Sequence, residues 1–472
     1  MSDSVAADNV TVNEQMVEVL SIGWKAMPEM VGADWEKVKK ALLADMAKME
    51  EHADPNHDQM VHMISDHLQP YPEALAYLND IAKQVMGHKL TEFEVVEPAA
   101  EAAASEPEPD FIDDEDFVDD SVDEGSRGFE ESGEFELEEI EVESAEPEEN
   151  FYRVPVYFAT NRKRDKRYKD FRSFTGNRSD EMKYGLAQVS MPKTHVPGNL
   201  ETPRRWRREK ADPNRHILVL SVDLMDKNKF VVSANDTLAD AESDSALIYI
   251  HGYNVSFGGA LRLTAQIATD LEFKGIPITY SWPSMAKTLR YNADEANIAH
   301  GQDYFDAFLE MVIKELKVSK VHILAHSMGN RLATLGMRNL PEQVAKGKIG
   351  QVLFASPDVD RGVFTQRAAK FAGKADRYTL YINESDLALE LSQLIHGFAR
   401  AGERDNNPLV VDDVDTIDAT NIDGSFLGHS FYQRDRTVLG DIVALISQNL
   451  APISRMNLLQ KGVEKIYWEL TR

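Results

Sequence analysis

Three side chains, taken in chain order, could carry out acyl transfer: Ser327, Asp386 and His429. A serine hydroxyl is a weak nucleophile at its own pKa and needs an imidazole to take its proton. The imidazole in turn needs a carboxylate to fix its tautomer and stabilise its cationic form. Ser327 lies in Ala325-His326-Ser327-Met328-Gly329, a variant of the G-x-S-x-G elbow with alanine in the first small slot. Such an elbow strains the backbone at the serine, so only small residues fit two positions before and after it. The oxyanion of a tetrahedral intermediate needs two backbone amides. Met328, the residue after the nucleophile, offers one, and Tyr253 in His251-Gly252-Tyr253-Asn254 offers the other. His251, Gly252, Asn254 and Gly329 are the supporting residues, with His251 shaping the oxyanion loop.

The acid has competitors. Asp358 and Asp360 could supply it from one strand earlier than Asp386, and Glu384 is closer to the strand end but points to the other side. Asp386 is preferred. For the base, His396 falls on a helical pattern with Leu391 and Leu394, and the side chain of His326 is expected to point away from the elbow tip. His429 stands alone after a late strand.

Elements that could position these groups alternate along the chain from residue 151. Apolar runs at 153–158, 185–191, 216–222, 230–232, 246–250, 277–283, 321–326, 351–355, 378–382 and 414–417 read as strands. Helical patterns cover 261–271, 291–316 and 438–446. Continuous apolar strands alternating with amphipathic helices imply a mostly parallel sheet covered on both faces. Such sheets place their sites at the carboxyl ends of the strands, where Ser327, Asp386, His429 and the loop at 251 all fall. The order Ser, Asp, His is that of an α/β-hydrolase triad. The regions 193–243 and 398–412 are the expected rim.

The chain has 472 residues, 43% of them hydrophobic, no cysteine and a net charge of −29. Without cysteine there is no disulfide, thiolate metal site or cysteine nucleophile, which suits a reducing cytoplasm. No secretory signal and no run of 18 apolar residues is visible, so no transmembrane segment is expected. The net acidity argues against nucleic acid as a partner. That acidity is local. Residues 91–150 hold 26 Asp or Glu and one basic residue, Arg127, whereas residues 151–472 carry a net of +4. The acidic stretch cannot bury enough apolar surface to fold and reads as a disordered linker. Residues 10–90 read as a small helical bundle, a possible adaptor for a protein partner, with apolar sets at 16–24, 35–49, 60–68 and 75–85. The expected organisation is therefore a helical unit over 10–90, an acidic linker over 91–150 and a catalytic domain over 151–472.

Residues 151–450 contain Val154-Pro155-Val156-Tyr157-Phe158-Ala159-Thr160-Asn161-Arg162, Tyr184-Gly185, His251-Gly252-Tyr253-Asn254, Ser281-Trp282-Pro283-Ser284, the elbow through Asn330, Ala355-Ser356-Pro357-Asp358-Val359-Asp360 and Ser385-Asp386-Leu387-Ala388-Leu389. In combination these segments carry a resemblance to the bacterial α/β-hydrolases of the DUF900 esterase/lipase-like group. The resemblance implies serine hydrolase chemistry with Ser327 as nucleophile and does not imply a substrate. The expectation is hydrolysis of a small-molecule or lipid ester, or a thioester, through an acyl-enzyme, with no metal and no cofactor. Two alternatives remain open. One is a signalling or defence effector regulated through its helical appendage, with the basic runs Arg162–Arg172 and Arg204–Arg208 holding the acidic linker; the other is a catalytically dead scaffold.

Overall fold

The computed structural model describes residues 149–203, 209–286, 291–383, 398–404, 407–422, 435–463 and 465–471, together with 27–35, 37–38, 41–42, 45, 57–71 and 73–78 of the N-terminal part. In that N-terminal part, helices α1 (Met27–Val31) and α2 (His57–Leu68) are described. Trp35, Leu42, Ile64, Leu68, Ala74 and Leu78 are buried. The apolar set at 16–24 and nearly all of the acidic stretch lie outside the described residues.

From Phe151 the chain alternates strands and helices: β1 (Phe151–Arg164), β2 (Phe174–Pro192), β3 (Val219–Met225), α3 (Lys227–Asp240), β4 (Ser245–Ile250), α4 (Phe257–Asp270), β5 (Ile276–Ser281), α5 (Tyr291–His300), α6 (Gln302–Glu315) and β6 (Lys320–His326). After these come α7 (Asn330–Asn339), α8 (Glu342–Ala345), β7 (Ile349–Ala355), α9 (Arg361–Phe371), β8 (Ala375–Ile382), β9 (Val414–Asp418), α10 (Arg436–Gln448), β10 (Leu458–Lys461) and β11 (Tyr467–Leu470). The strands form one sheet of eleven in the order β10-β11-β9-β8-β7-β6-β4-β5-β1-β2-β3. Its centre, from β1 through β5, β4, β6, β7 and β8 to β9, is parallel throughout. Antiparallel pairs occur only towards its two margins. Every residue of β4, β5 and β7 is buried, as strands covered on both faces require.

One face of the sheet is covered by α3, α5, α6, α7 and α9, through residues such as Phe230, Ile298, Phe305, Leu332 and Phe364. The other is covered by α4 and α10, through Phe257, Leu261, Ile267, Val438 and Leu445. From β4 the chain leaves into α4 on the second face and pairs next with β5. From β6 it leaves into α7 on the first face and proceeds outward to β7, β8 and β9. The carboxyl ends of neighbouring β4 and β6 therefore form a topological switch point, the crevice where open α/β sheets bind ligands.

Three expectations about elements are corrected. Phe230–Val232 is not a strand but part of α3. Asp226 caps that helix by accepting from the Lys229 amide, and Phe230, Ala234 and Leu238, four apart, bury one face of it. The helix expected over 291–316 is two helices. Their break lies at Gly301, whose amide bonds back to Asn297 and Ile298. The described parts of 193–218, residues 193–203 and 209–218, are not at the rim of the crevice. The chain there leaves β2 beside the start of β1, at the amino edge of the parallel strands, where His195 bonds Asp270 at the end of α4. The extension of the β1–β2 hairpin over 161–184 rises at the carboxyl edge instead, as Thr160 pairs with Ser281 at the end of β5.

Candidate active site

The turn after β6 places Ser327 at φ +49°, in the left-handed region. For a residue with a Cβ this costs about 1–2 kcal/mol, and such strain concentrates at functional positions. His326 is still extended, and residues 327–329 make one tight 3₁₀ turn before α7 begins. The small residues of the motif are explained by contact. A Cβ on Gly329 would lie 2.5 Å from the His251 carbonyl oxygen and 2.7 Å from that of Ile250, so only glycine lets the elbow lie against the end of β4. Asn330 fastens the turn from below. Its Nδ2 donates to the Ser327 carbonyl at 3.0 Å and to that of Ala355, at the end of β7, at 3.1 Å.

The loop after β4 faces this turn. A Cβ on Gly252 would lie 2.9 Å from Ser327 Cβ and 2.9 Å from His326 Nδ1. The backbone at 252 thus passes close beside the side chains of Ser327 and His326, and the His326 ring lies against this loop. Asn254 closes the loop at φ +56°, a conformation that asparagine tolerates better than most residues. The ring of Tyr253 packs on Tyr291, with centroids 5.4 Å apart, and Met328 is buried in the core.

Beneath the loop lies a buried polar frame that sequence reasoning did not assemble. Arg162, at the end of β1, donates from Nη2 to the Val255 carbonyl at 2.7 Å, from Nη1 to that of Ser284 at 2.9 Å and from Nε to Ser281 Oγ at 2.9 Å. Ser284 Oγ accepts from the Val255 amide at 3.2 Å and donates to Asp294 Oδ2 at 2.6 Å. Asp294 Oδ1 accepts from the Met285 amide at 2.6 Å, and its carboxylate also receives the Asn254 amide. Burial pushes the Asp294 carboxyl up to about 6, against the opposing pull of these donors and of the Arg162 charge.

His251 is fully buried, stacked on Trp282 with centroids 4.9 Å apart, and its carbonyl accepts from Trp282 Nε1 at 2.8 Å. Burial, and then the neighbouring Arg162 charge, push its pKa down to about 3, so the ring is neutral. Arg162 Nη2 faces His251 Nε2 at 3.3 Å and can only donate. Nδ1 lies 2.8 Å from the Gly252 carbonyl, and Nε2 also lies 3.1 Å from that of Trp282, so both ring nitrogens are held by the surrounding backbone. His251 is therefore a wall of the loop and not a base. Arg162, expected as one end of a surface basic run, is among the most buried side chains of the domain. Of the second basic run, Arg204–Arg208 lies outside the described residues.

The two competing acids are both visible. Asp358 follows β7 and donates its amide to the Ser327 carbonyl at 3.2 Å. Its carboxylate accepts from Tyr291 and pairs with Arg331 at 3.4 Å and Arg400 at 3.3 Å. Asp360 caps α9 by accepting from the Val363 amide at 2.8 Å. Asp386 and His429 lie outside the described residues. The segments that hold them begin where β8 and β9 end side by side, with Ile382 paired to Asp418, at the carboxyl edge that also carries Ser327. Arg400 and Gly402 come from the segment 398–404, and Gly402 packs against Ser356 and Pro357, so this part of the expected rim lies beside the chain that leaves the carboxyl end of β7.

Among the described residues, no helix is long and apolar enough to cross a membrane. Residues 227–448 match the model of a family described as alpha/beta hydrolase of unknown function, DUF900. The match starts with the first residue of α3 and ends with the last of α10, and so covers Ser327, Asp386 and His429 but not β1 to β3. No curated protein matches the chain.

Proposed function

The sheet domain belongs to the DUF900 α/β-hydrolase family, and from that premise we propose that it is a serine hydrolase cleaving carboxylic esters through an acyl-enzyme. The observation that carries this reading is the left-handed backbone of Ser327 at the switch point, with the backbone of Gly252 close beside its side chain. Ser327 Oγ attacks the acyl carbon while His429 takes its proton and Asp386 orients the imidazole. The amides of Tyr253 and Met328 hold the oxyanion. Collapse expels the alcohol, protonated by His429, and water then releases the acid by the same steps in reverse.

Asp386 is preferred over the visible carboxylates because those have other work. Asp358 neutralises two cations, and Asp360 caps a helix. The substrate is a small-molecule or lipid ester.

A fluorophosphonate probe should label the purified protein, and short p-nitrophenyl esters should turn over. Ser327→Ala should abolish both while leaving the fold intact, and chelators should leave the rate unchanged. A wild-type protein that neither labels nor turns over would sink the reading.

A further inference from the structure

We propose that Asp294 and Arg162 are positioning residues for the oxyanion loop, holding the Tyr253 amide over Ser327 and making that geometry dependent on the charge of Asp294. This rests on the serine hydrolase reading above and adds to it a control point outside the triad.

The argument starts from what the loop would do alone. Residues 251–256 join a buried strand to a helix, and Asn254 stands in left-handed backbone. The loop therefore needs outside partners to keep one conformation. Its polar backbone groups on both sides of that strained residue are bound from below. The Asn254 amide goes to Asp294, the Val255 amide to Ser284 Oγ, and the Val255 carbonyl to Arg162. Ser284 donates its hydroxyl proton to Asp294 Oδ2, which fixes the rotor so that a lone pair of Oγ faces the Val255 amide. Two of the three restraints thus end on one carboxylate, and the third ends on the cation that balances its charge.

Asp294 is completely buried, and Arg162 is 1% exposed. Charges so placed cannot be replaced by water without loosening the frame. The carboxylate serves by accepting only. Protonated, one oxygen becomes a donor, and either the Ser284 hydroxyl or a backbone amide loses its acceptor. The groups facing it are the Arg162 guanidinium from β1, the Ser284 hydroxyl and Met285 amide from the turn after β5, and the Asn254 amide from the loop itself. The neutral His251 ring lies across Arg162 and stays neutral far below the pH at which Asp294 titrates.

Acid therefore acts twice on catalysis. It protonates the catalytic histidine, and separately it slackens the oxyanion loop. Removing an oxyanion donor outright typically costs 10²–10³-fold in kcat, and displacing one costs part of that.

The test is Asp294→Asn in the full chain, compared with wild type by active-site titration, steady-state kinetics on a p-nitrophenyl ester and pH profiles. At pH 8 the variant should lose about 10–100-fold in kcat per titrated site, with KM changed less than about threefold. The acid limb of log kcat/KM should fall with a slope approaching two in wild type and one in the variant. Asp294→Glu, which keeps the charge, should recover kcat in part. A variant with fewer titratable sites but wild-type kcat per site would show a merely structural role and overturn the inference, as would unchanged acid limbs. Where Asp294→Asn yields no folded protein, Ser284→Ala tests the same restraint on Val255. It should lower kcat per site by roughly 3–30-fold, and an unaltered kcat per site would overturn the inference. Wild type that fails to label with a fluorophosphonate would sink the serine hydrolase reading itself. Labelled wild type with an indifferent Asp294→Asn sinks only this inference.

Discussion

A serine held at φ +49° is paid for by its surroundings, and two glycines mark where. Gly329 has backbone oxygens on two sides, at 2.5 and 2.7 Å from a notional Cβ, and neither can retreat without breaking the β4–β6 ladder. Gly252 differs, because its nearest atoms belong to the side chains of Ser327 and His326, both at 2.9 Å. A methyl there would push the loop after β4 away from Ser327 rather than unpack the sheet. Gly252→Ala should therefore separate stability from catalysis. Thermal unfolding should move by only a few degrees, corresponding to about 1 kcal/mol in a domain of this size. The kcat on a p-nitrophenyl ester should fall by about 10–100-fold, on the scale of a displaced oxyanion donor. Equal losses in folded fraction and in rate would contradict this division of roles.

At the scale of elements, the chain beyond β7 and β8 carries carboxylates for which different duties are expected, and substitution should sort them. Asp360→Ala removes only the cap of α9 and should cost about 1 kcal/mol of stability with kcat unchanged. Asp358→Ala removes the carboxylate shared by the buried Arg400 and by Arg331, which keeps Glu295, and should cost about 3 kcal/mol. Asp386→Asn should leave stability intact and lower kcat by about 10⁴-fold, the scale of a lost tautomer-fixing carboxylate. Melting curves beside kcat for the three variants check the assignment, and a full-rate Asp386→Asn protein would end Asp386's candidacy. The same elements show what could be read from sequence. β4, β6 and β7 were legible because strands covered on both faces are largely apolar runs, and the tight turn at Ser327 was legible because an elbow tolerates few residue types. Phe230–Val232 misled because a short apolar run has no period of its own; only the spacing to Ala234 and Leu238 reveals α3. β10, β11 and the outer part of β2 were missed because strands near the sheet's margins need not be apolar. The frame under the loop was illegible for a different reason. Arg162, Ser284 and Asp294 lie on three separate elements, and nothing in their local sequence marks them as partners.

For the molecule as a whole, acidity and fold occupy different parts of the chain. The segment 91–150 carries a net of −25 out of the chain's −29, while residues 151–472 are close to neutral. The acid response of the folded domain is therefore set less by net charge than by individual buried groups. His251 and His322 have folded pKa values pushed down to about 3 and about 4, in each case chiefly by burial. His322 Nδ1 accepts from the Gln351 amide at 3.1 Å, which a protonated ring could not do. Below about pH 6.5 the unfolded chain binds protons that these folded histidines refuse, so stability falls as the pH drops through that window. Asp294 acts in the opposite direction. Its folded pKa, raised to about 6, lies above its unfolded value, so the folded state takes the proton first and gains stability between about pH 6 and 4. At about 1.4 kcal/mol per pH unit, each histidine costs roughly 3 kcal/mol by pH 4 and Asp294 returns roughly 3 kcal/mol. For these three groups together, two losses against one gain weaken the folded state in acid by about 3 kcal/mol. His322→Asn keeps an acceptor for the Gln351 amide and removes the titration. Its melting temperature should be lower than wild type at pH 7, because the smaller side chain leaves a gap beside Gly350 and Phe273. Between pH 6.5 and 4 it should nevertheless fall less steeply, closing or reversing the difference. Thermal melts of both proteins across that range decide the point, and parallel curves would show that His322 does not carry the acid sensitivity.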